Sequence, residues 1–364
     1  MGEIVTTILI VLVWIISFVE PSGWASSIHL PEKINICILV LSIIFYLFSP
    51  QKRQQLSTIL VLLLIVSFVF IPVALHNSWQ GASYLASLLT VYIVSQGRIT
   101  SKVIKYTGFS IAVLGLFILF IYTHGTLLNG WNDNAVSMTG LFSLLYFSIL
   151  LIQKKGSFKF WGWNIITYFY LVLLFGTDCR SGILFGIISV VGILYSRKVI
   201  RLYSRKLFPI ILLNIPLLIA LIVILISTSG YFHDLNDWSF REFGKPIFNG
   251  RESLWELSIM VLDRSDYLGT GKFIMNYHNS GIAALSVFGV IGYITWISYF
   301  NNIMCQLGRY INDDIVFGSI FAFSLIFLQQ TVDLGFISPI PNLLPYMILG
   351  VGLGRIRLLR ESNI

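Results

Sequence analysis

Charge is what this sequence has least of. Asp, Glu, Lys and Arg make up 11% of its 364 residues, against 56% hydrophobic ones, where a soluble domain carries about 25% charged residues. That shortage excludes an ordinary water-soluble globule. Cysteine is almost as rare: Cys37, Cys179 and Cys305 are the only three. Cys37 falls within an apolar run, Cys179 at the end of one, and Cys305 in a connection on the opposite side. No connection holds two of them, so neither a disulfide framework nor a cysteine-ligated metal site can be built. No H-E-x-x-H occurs, and no D-x-D falls on the side where the polar motifs gather. Linkers, low-complexity tracts and a convincing internal repeat are missing as well.

Apolar runs fill the space. They recur near 4–19, 34–49, 56–75, 82–95, 103–122, 138–152, 161–177, 182–196, 207–228, 282–300, 315–331 and 342–356, and many approach the ~20 residues that cross a bilayer as helix. The expectation is one all-α, polytopic membrane domain over residues 1–364, with about twelve transmembrane helices. The first run follows Met1, Gly2 and Glu3 with no basic residue, and reads as a retained span, not a cleaved signal. Alternate connections fall on alternate sides. One set carries seventeen of the 24 Lys and Arg residues; the other carries Lys33, Arg180, Arg241, Lys245, Arg251, Arg264 and Lys272. By the positive-inside rule both termini are cytoplasmic. The net charge of +8 is then mostly a topology signal, and nucleic acid is not implied. One connection is long, residues 229–281 on the outer side, and all five histidines fall on that side.

Polar groups gather in three outer stretches. "G-T-D-C-R-S-G" (176–182) sets Arg180 between two apolar runs. It is either a turn whose arginine reaches lipid headgroups or a guanidinium held for a phosphate, with Asp178 orienting or neutralising it. In "F-N-G-R-E-S-L-W" (248–255), Asn249 and Glu252 have the spacing of a capping box, which puts Arg251 in a first helical turn where an anion is favoured. Trp255 follows on the face turned to the bundle; a solvated interfacial helix is the plainer alternative. "Y-H-N-S-G" (277–281) places His278 at the mouth of an apolar run. A lone histidine there is commonly just solvated; between two cations it would stay neutral, as a general base requires. Asn279 could fix its tautomer or bind substrate. Weaker candidates are His233, Asp234 and Asp237, the polar turn 129–134, "G-T-G-K" (269–272), which lacks the rest of a P-loop, and "G-V-G-L-G" (350–354), which suits helix packing.

Taken in order, T-D-C-R-S-G (177–182), G-R-E-S-L-W (250–255), D-R-S-D-Y-L-G-T-G (263–271) and H-N-S-G-I-A-A-L-S-V-F-G-V-I-G (278–292) resemble the bacterial O-antigen ligase and polymerase superfamily of membrane glycosyltransferases. The resemblance covers roughly residues 130–300; the first hundred match in hydropathy alone. It implies a GT-C-like fold in the bacterial cytoplasmic (inner) membrane and a substrate of undecaprenyl-diphosphate-linked oligosaccharide. Further implications are contact with membrane lipids, a polysaccharide chain-length regulator as candidate partner, and no cofactor. Its motif arginines fall on Arg180 and Arg251 and its histidine on His278, with Asp178, Trp255 and Asn279 beside them. Asp178-Cys179 departs from the small or hydroxyl residues usual before the first arginine. The implied chemistry is inverting and metal-independent transfer, with the arginines on the departing diphosphate and His278 on the acceptor hydroxyl. A compact outer loop favours a polymerase over a ligase acting on lipid A core. A lipid-linked oligosaccharide flippase is the third reading, disfavoured because the middles of the runs hold almost no charge.

Overall fold

In hydrocarbon a backbone N–H or C=O has no partner but another part of the chain, so apolar runs must close their hydrogen bonds as helices. The computed structural model describes residues 1–19, 58–125, 132–203, 205, 207–333, 336–337 and 342–362, with Lys33, Cys37 and Val40. In chain order its helices are α1 (Glu3–Val19), α2 (Thr58–Ile65), a π-helical segment (Val66–Phe70), α3 (Ile71–His76), α4 (Gln80–Ser95), α5 (Ser101–His124), α6 (Asp133–Gln153), α7 (Phe158–Phe175) and α8 (Arg180–Leu194). Then come α9 (Ser196–Tyr203), α10 (Phe208–Ile226), α11 (Gly230–Phe243), α12 (Arg251–Arg264), α13 (Ser280–Gly308), α14 (Asp314–Gln329) and α15 (Leu344–Ser362). No strand occurs among the described residues.

Among the described residues six helical stretches are long and apolar enough to cross a membrane: Ile59–His76 through α2 and α3, then α5, α6, α7, α10 and α13. α1, α8 and α14 are apolar but shorter. The 16 residues of α14 rise about 24 Å, less than a ~30 Å hydrocarbon core. The expected runs near 82–95 and 342–356 form α4 and α15, while 34–49, apart from Cys37 and Val40, lies outside the described residues. About twelve spans were expected; six among the described residues meet both conditions.

Burial sorts the helices into centre and periphery. In the most apolar stretch of α6, 89% of residues are buried, against 28% in α7. α6 packs against α5, α8 and α14, and α15 packs against α4 and α14. Peripheral helices leave whole apolar rows uncovered, among them Phe117 on α5, Trp161 and Val172 on α7, and Leu218, Ile222 and Leu225 on α10. At about 25 cal/mol per Å² of apolar area such rows are costly in water and free of that cost in lipid. The protein is a helical membrane protein.

One break shapes the end that matters for function. α13 is interrupted at Gly289, whose φ of 69° and ψ of −175° leave the helix. The loop before α13 fills the gap with its own backbone: Thr270 N donates to Ser286 O at 2.9 Å, Gly271 N to Val287 O at 2.8 Å, and Val290 N to Tyr267 O at 3.0 Å. Gly269, also left-handed at φ 82°, lies so close that a Cβ there would sit 2.4 Å from Gly289 N. The glycines of the D-R-S-D-Y-L-G-T-G stretch are thus a backbone-to-backbone joint, which anchors the segment leading to His278.

Candidate functional site

Three helices begin at one end of the bundle, and two begin with arginine. α6 is capped by Asn132, whose side chain accepts from Asn134 N at 2.8 Å. α8 opens on Arg180 behind Cys179, and α12 opens on Arg251 behind Gly250; neither start has a side-chain cap. The expected capping box does not form. Asn249 and Gly250 are both left-handed, at φ 56° and 76°, so Asn249 lacks the extended backbone of a capping residue and Gly250 holds the cap position. Arg251 nonetheless stands in the first turn, as expected.

These starts line one cavity of about 590 Å³. Its walls are Asn132, Asp133, Asn134, Asp178, Cys179, Arg180, Ser181, Leu184, Lys245, Ile247, Phe248, Asn249, Arg251 and Val332. Arg180 is exposed and donates through Nη2 to Pro246 O at 3.3 Å. Arg251 is half-buried and donates through Nη1 to Val332 O. Burial, and then the positive charge of Arg180, lower the pKa of Arg251, while Asp333 and Cys179 work the other way. A helix start already carries partial positive charge, so cations there are unfavourable by about 0.3–1 kcal/mol each. Arg180, Lys245 and Arg251 outnumber Asp133 and Asp178 on the wall, and with the helix starts they give the cavity a chemistry suited to an anion.

His278 is half-buried and is not part of the cavity wall, yet it feels Arg251. Desolvation first, and the charge of Arg251 second, push its pKa down to about 4. The ring is neutral at pH 7, and its Nδ1 is buried without a hydrogen-bond partner among the described residues. Its backbone is held in the left-handed region at φ 49° by the residues on either side. Trp255 Nε1 donates to Tyr277 O at 2.7 Å. Asn279 Nδ2 donates to Pro216 O at 2.8 Å and Thr331 O at 2.9 Å, and its Oδ1 caps α13 by accepting from Ile282 N at 3.0 Å. Ser280 is tied to Gln330 through both N and Oγ, each at 3.0 Å.

Of the residues singled out in the sequence, the fold brings Arg180, Arg251 and Asp178 into the cavity and His278 beside Arg251. Trp255 and Asn279 are fully buried beneath it; with its amide engaged on the backbone, Asn279 holds the histidine's segment and does not face the cavity. The polar turn before α6 contributes Asn132, Asp133 and Asn134. Lys245 and Asp333 were not anticipated as site residues. Asp333 is buried, accepts from Gln329 Nε2 at 3.2 Å, and is the acid whose charge supports Arg251. The signal for it was the polar string "Q-Q-T-V-D" (329–333) closing an apolar run. Asp133, Asp178 and Asp333 do not converge: no cluster of metal-ligating side chains is found among the described residues. No family model, curated protein or solved structure matches the chain.

Proposed function

We propose that this protein is a membrane glycosyltransferase that joins undecaprenyl-diphosphate-linked oligosaccharide repeat units, a polymerase of O-antigen or capsular type. In this reading the fold is GT-C-like, both termini are cytoplasmic, and the cavity opens on the outer face of the cytoplasmic membrane. The observation that carries it is the pair Arg180 and Arg251, each the first residue of a helix and both on one cavity. A diphosphate on a lipid is the anion that such a cavity, set at the end of an apolar bundle, would meet.

The reaction needs a leaving group, a nucleophile and a proton acceptor. The anomeric C–O bond to the diphosphate breaks with its electron pair moving onto the phosphate oxygen, where Arg180, Arg251 and Lys245 meet the growing charge. The acceptor hydroxyl oxygen forms the new bond from the opposite face, which inverts the anomeric centre. Its proton passes to neutral His278. A pKa near 4 makes a weak base in the empty protein; an anion paired with Arg251 cancels part of the charge that depresses it, so donor binding strengthens the base.

The test is reconstitution of the purified protein with a synthetic undecaprenyl-diphosphate repeat unit, read as a glycan ladder on a gel, with one lane in EDTA. A ladder without any other acceptor is the expected result, unchanged by EDTA. Transfer only when lipid A core is supplied would make the protein a ligase. Silence in both, with protein that remains folded, overturns the reading and favours a flippase.

A further inference from the structure

We infer that the exposed aromatic flank of α11 is seated on the headgroup–acyl boundary of the same membrane that the apolar helices enter, holding one wall of the cavity at the lipid surface. This helix divides into three sectors. Phe232, Asn236 and Ser239, spaced i, i+4 and i+7, turn toward the protein. Tyr231, Leu235 and Trp238 have the same spacing on the neighbouring sector and are exposed, Tyr231 at 88%; the exposed Glu242 ends that row, and Phe240 and Phe243 are exposed outside it. His233, Asp237 and Arg241 occupy the far side and are also exposed. A helix with an uncovered apolar flank beside its docked face and a charged sector opposite matches the pattern of an interfacial helix.

The occupant of that flank follows from continuity. On α10, Leu218, Ile222 and Leu225 form an exposed apolar row, Leu225 at 78%, and α10 is one of the stretches able to cross a membrane. The chain leaves α10 at Ile226 and starts α11 at Gly230, with three residues between them, and the Ser229 side chain caps α11 by accepting from Phe232 N at 3.3 Å. The exposed row of α10 is thus followed in the chain, across Ser227, Thr228 and Ser229, by the exposed row of Tyr231, Leu235 and Trp238. Side chains with an apolar ring and a polar tip are enriched where hydrocarbon meets headgroups.

The docked sector of α11 is joined to the cavity wall. Ser239 Oγ donates to Lys245 O at 2.8 Å, Ile247 N donates to Asn236 Oδ1 at 3.2 Å, and Phe232 stacks on Phe248 at 6.4 Å between ring centroids. Lys245, Ile247 and Phe248 all line the cavity. Fixing α11 in the interface fixes that wall beside the bilayer, where a lipid-borne ligand arrives. The seating itself does not depend on what reaction the cavity performs.

The experiment compares the full-length protein with Trp238→Phe in lipid nanodiscs, the difference in fluorescence being the Trp238 emission. Lipids brominated near the headgroup or near the chain terminus, and aqueous iodide, serve as quenchers. The expected result is loss of most of that emission to the shallow bromines, less to the deep ones, and little to iodide. Quenching by iodide and not by bromolipid would overturn the proposal in favour of a water-facing flank. Resistance to all three, with a particle that halves in mass on Leu235→Asp, would overturn it in favour of a second copy of this chain. Phenylalanine preserves the ring, so the comparison survives a site that tolerates little else.

Discussion

Two groups of cations, one at each end of the bundle, are placed in opposite ways. At the end where α4, α8 and α15 finish, basic side chains sit where helix carbonyls need donors. Lys155 Nζ donates to Leu194 O at 2.6 Å at the close of α8, and Arg357 Nη2 donates to Gln96 O at 2.7 Å at the close of α4. Arg355 puts two nitrogens on Asp313 Oδ2 at 3.0 and 2.8 Å, and Asp313 in turn caps α14. Lys155, Arg357 and Asp313 agree with the dipole of the helix end that each meets, and Arg355 pairs with Asp313. At the other end Arg180 and Arg251 head their helices, where the dipole opposes them, and each finds a backbone carbonyl as partner. Under the proposed function, the opposed charges at Arg180 and Arg251 are the ones that meet the ligand; Lys102 and Lys159, in the first turns of α5 and α7, are opposed without lining that cavity.

The largest effect should come from removing the opposed charges. Arg180→Ala and Arg251→Ala are each expected to lower glycan transfer by roughly 10²–10³-fold, the usual cost of losing one donor to a developing oxyanion. Arg251→Lys should also impair it, because a point charge cannot reproduce the planar fork. Arg355→Ala or Arg357→Ala in the same assay should stay near wild type at a temperature where the variant is folded. Near-normal ladders from both site variants would erase the functional half of the comparison.

The sequence revealed that contrast only in part, for physical reasons. Apolar runs are legible because hydrocarbon tolerates little else, and a guanidinium inside such a chain stands out. Hence the helices over most of the described chain, and the pairing of Arg180 with Arg251, were expected. The break in α13 was hidden: Gly289 looks like any small residue in an apolar run, and only the loop carrying Gly269 gives it a reason. Asp333 was hidden because one acid after an apolar run reads as solvated loop, whereas here it is buried and supports Arg251. Asn279 was expected to fix the His278 tautomer or to bind substrate because it adjoins His278; an Asn directly before a helix is also a natural cap, and its side chain caps α13 here. Asn249 shows the reverse error: the spacing suited a cap and the left-handed backbone does not.

A smaller effect separates the ends by stability. Arg357→Ala strips donors from the carbonyls that close α4 and should cost about 1.5–3 kcal/mol, as hydrogen bonds to charged groups do. Arg180→Ala removes an exposed cation that opposes a dipole, and should leave stability unchanged or raise it by at most about 0.3–1 kcal/mol. Thermal denaturation of both variants in one detergent reads the sign directly. A loss for Arg180→Ala as large as for Arg357→Ala would mean that Arg180 holds the fold as well.

The sharpest contrast is in pH. His278 is pushed down to about 4 in the folded protein, while an unfolded chain holds histidine near 6.5. On acidification the unfolded state takes up the proton first, so the fold loses stability as pH falls from about 6.5 toward 4, and above 6.5 the group contributes no slope. His278→Gln should flatten that part of the stability profile, because glutamine fills much of the space and does not titrate. Activity should separate from stability: kcat/KM for the wild type should hold steady down to about pH 5 and fall on a limb near 4, since this profile reports the free protein's base. The limb in kcat should lie higher than the limb in kcat/KM, because a diphosphate on Arg251 removes part of the charge that depresses the ring. If both limbs fall near 6.5, His278 is neither desolvated nor depressed by Arg251 in the working protein, and the base must be sought elsewhere along the cavity. If they split in the expected order, the cation that the helix dipole disfavours is also the one that tunes the proton acceptor.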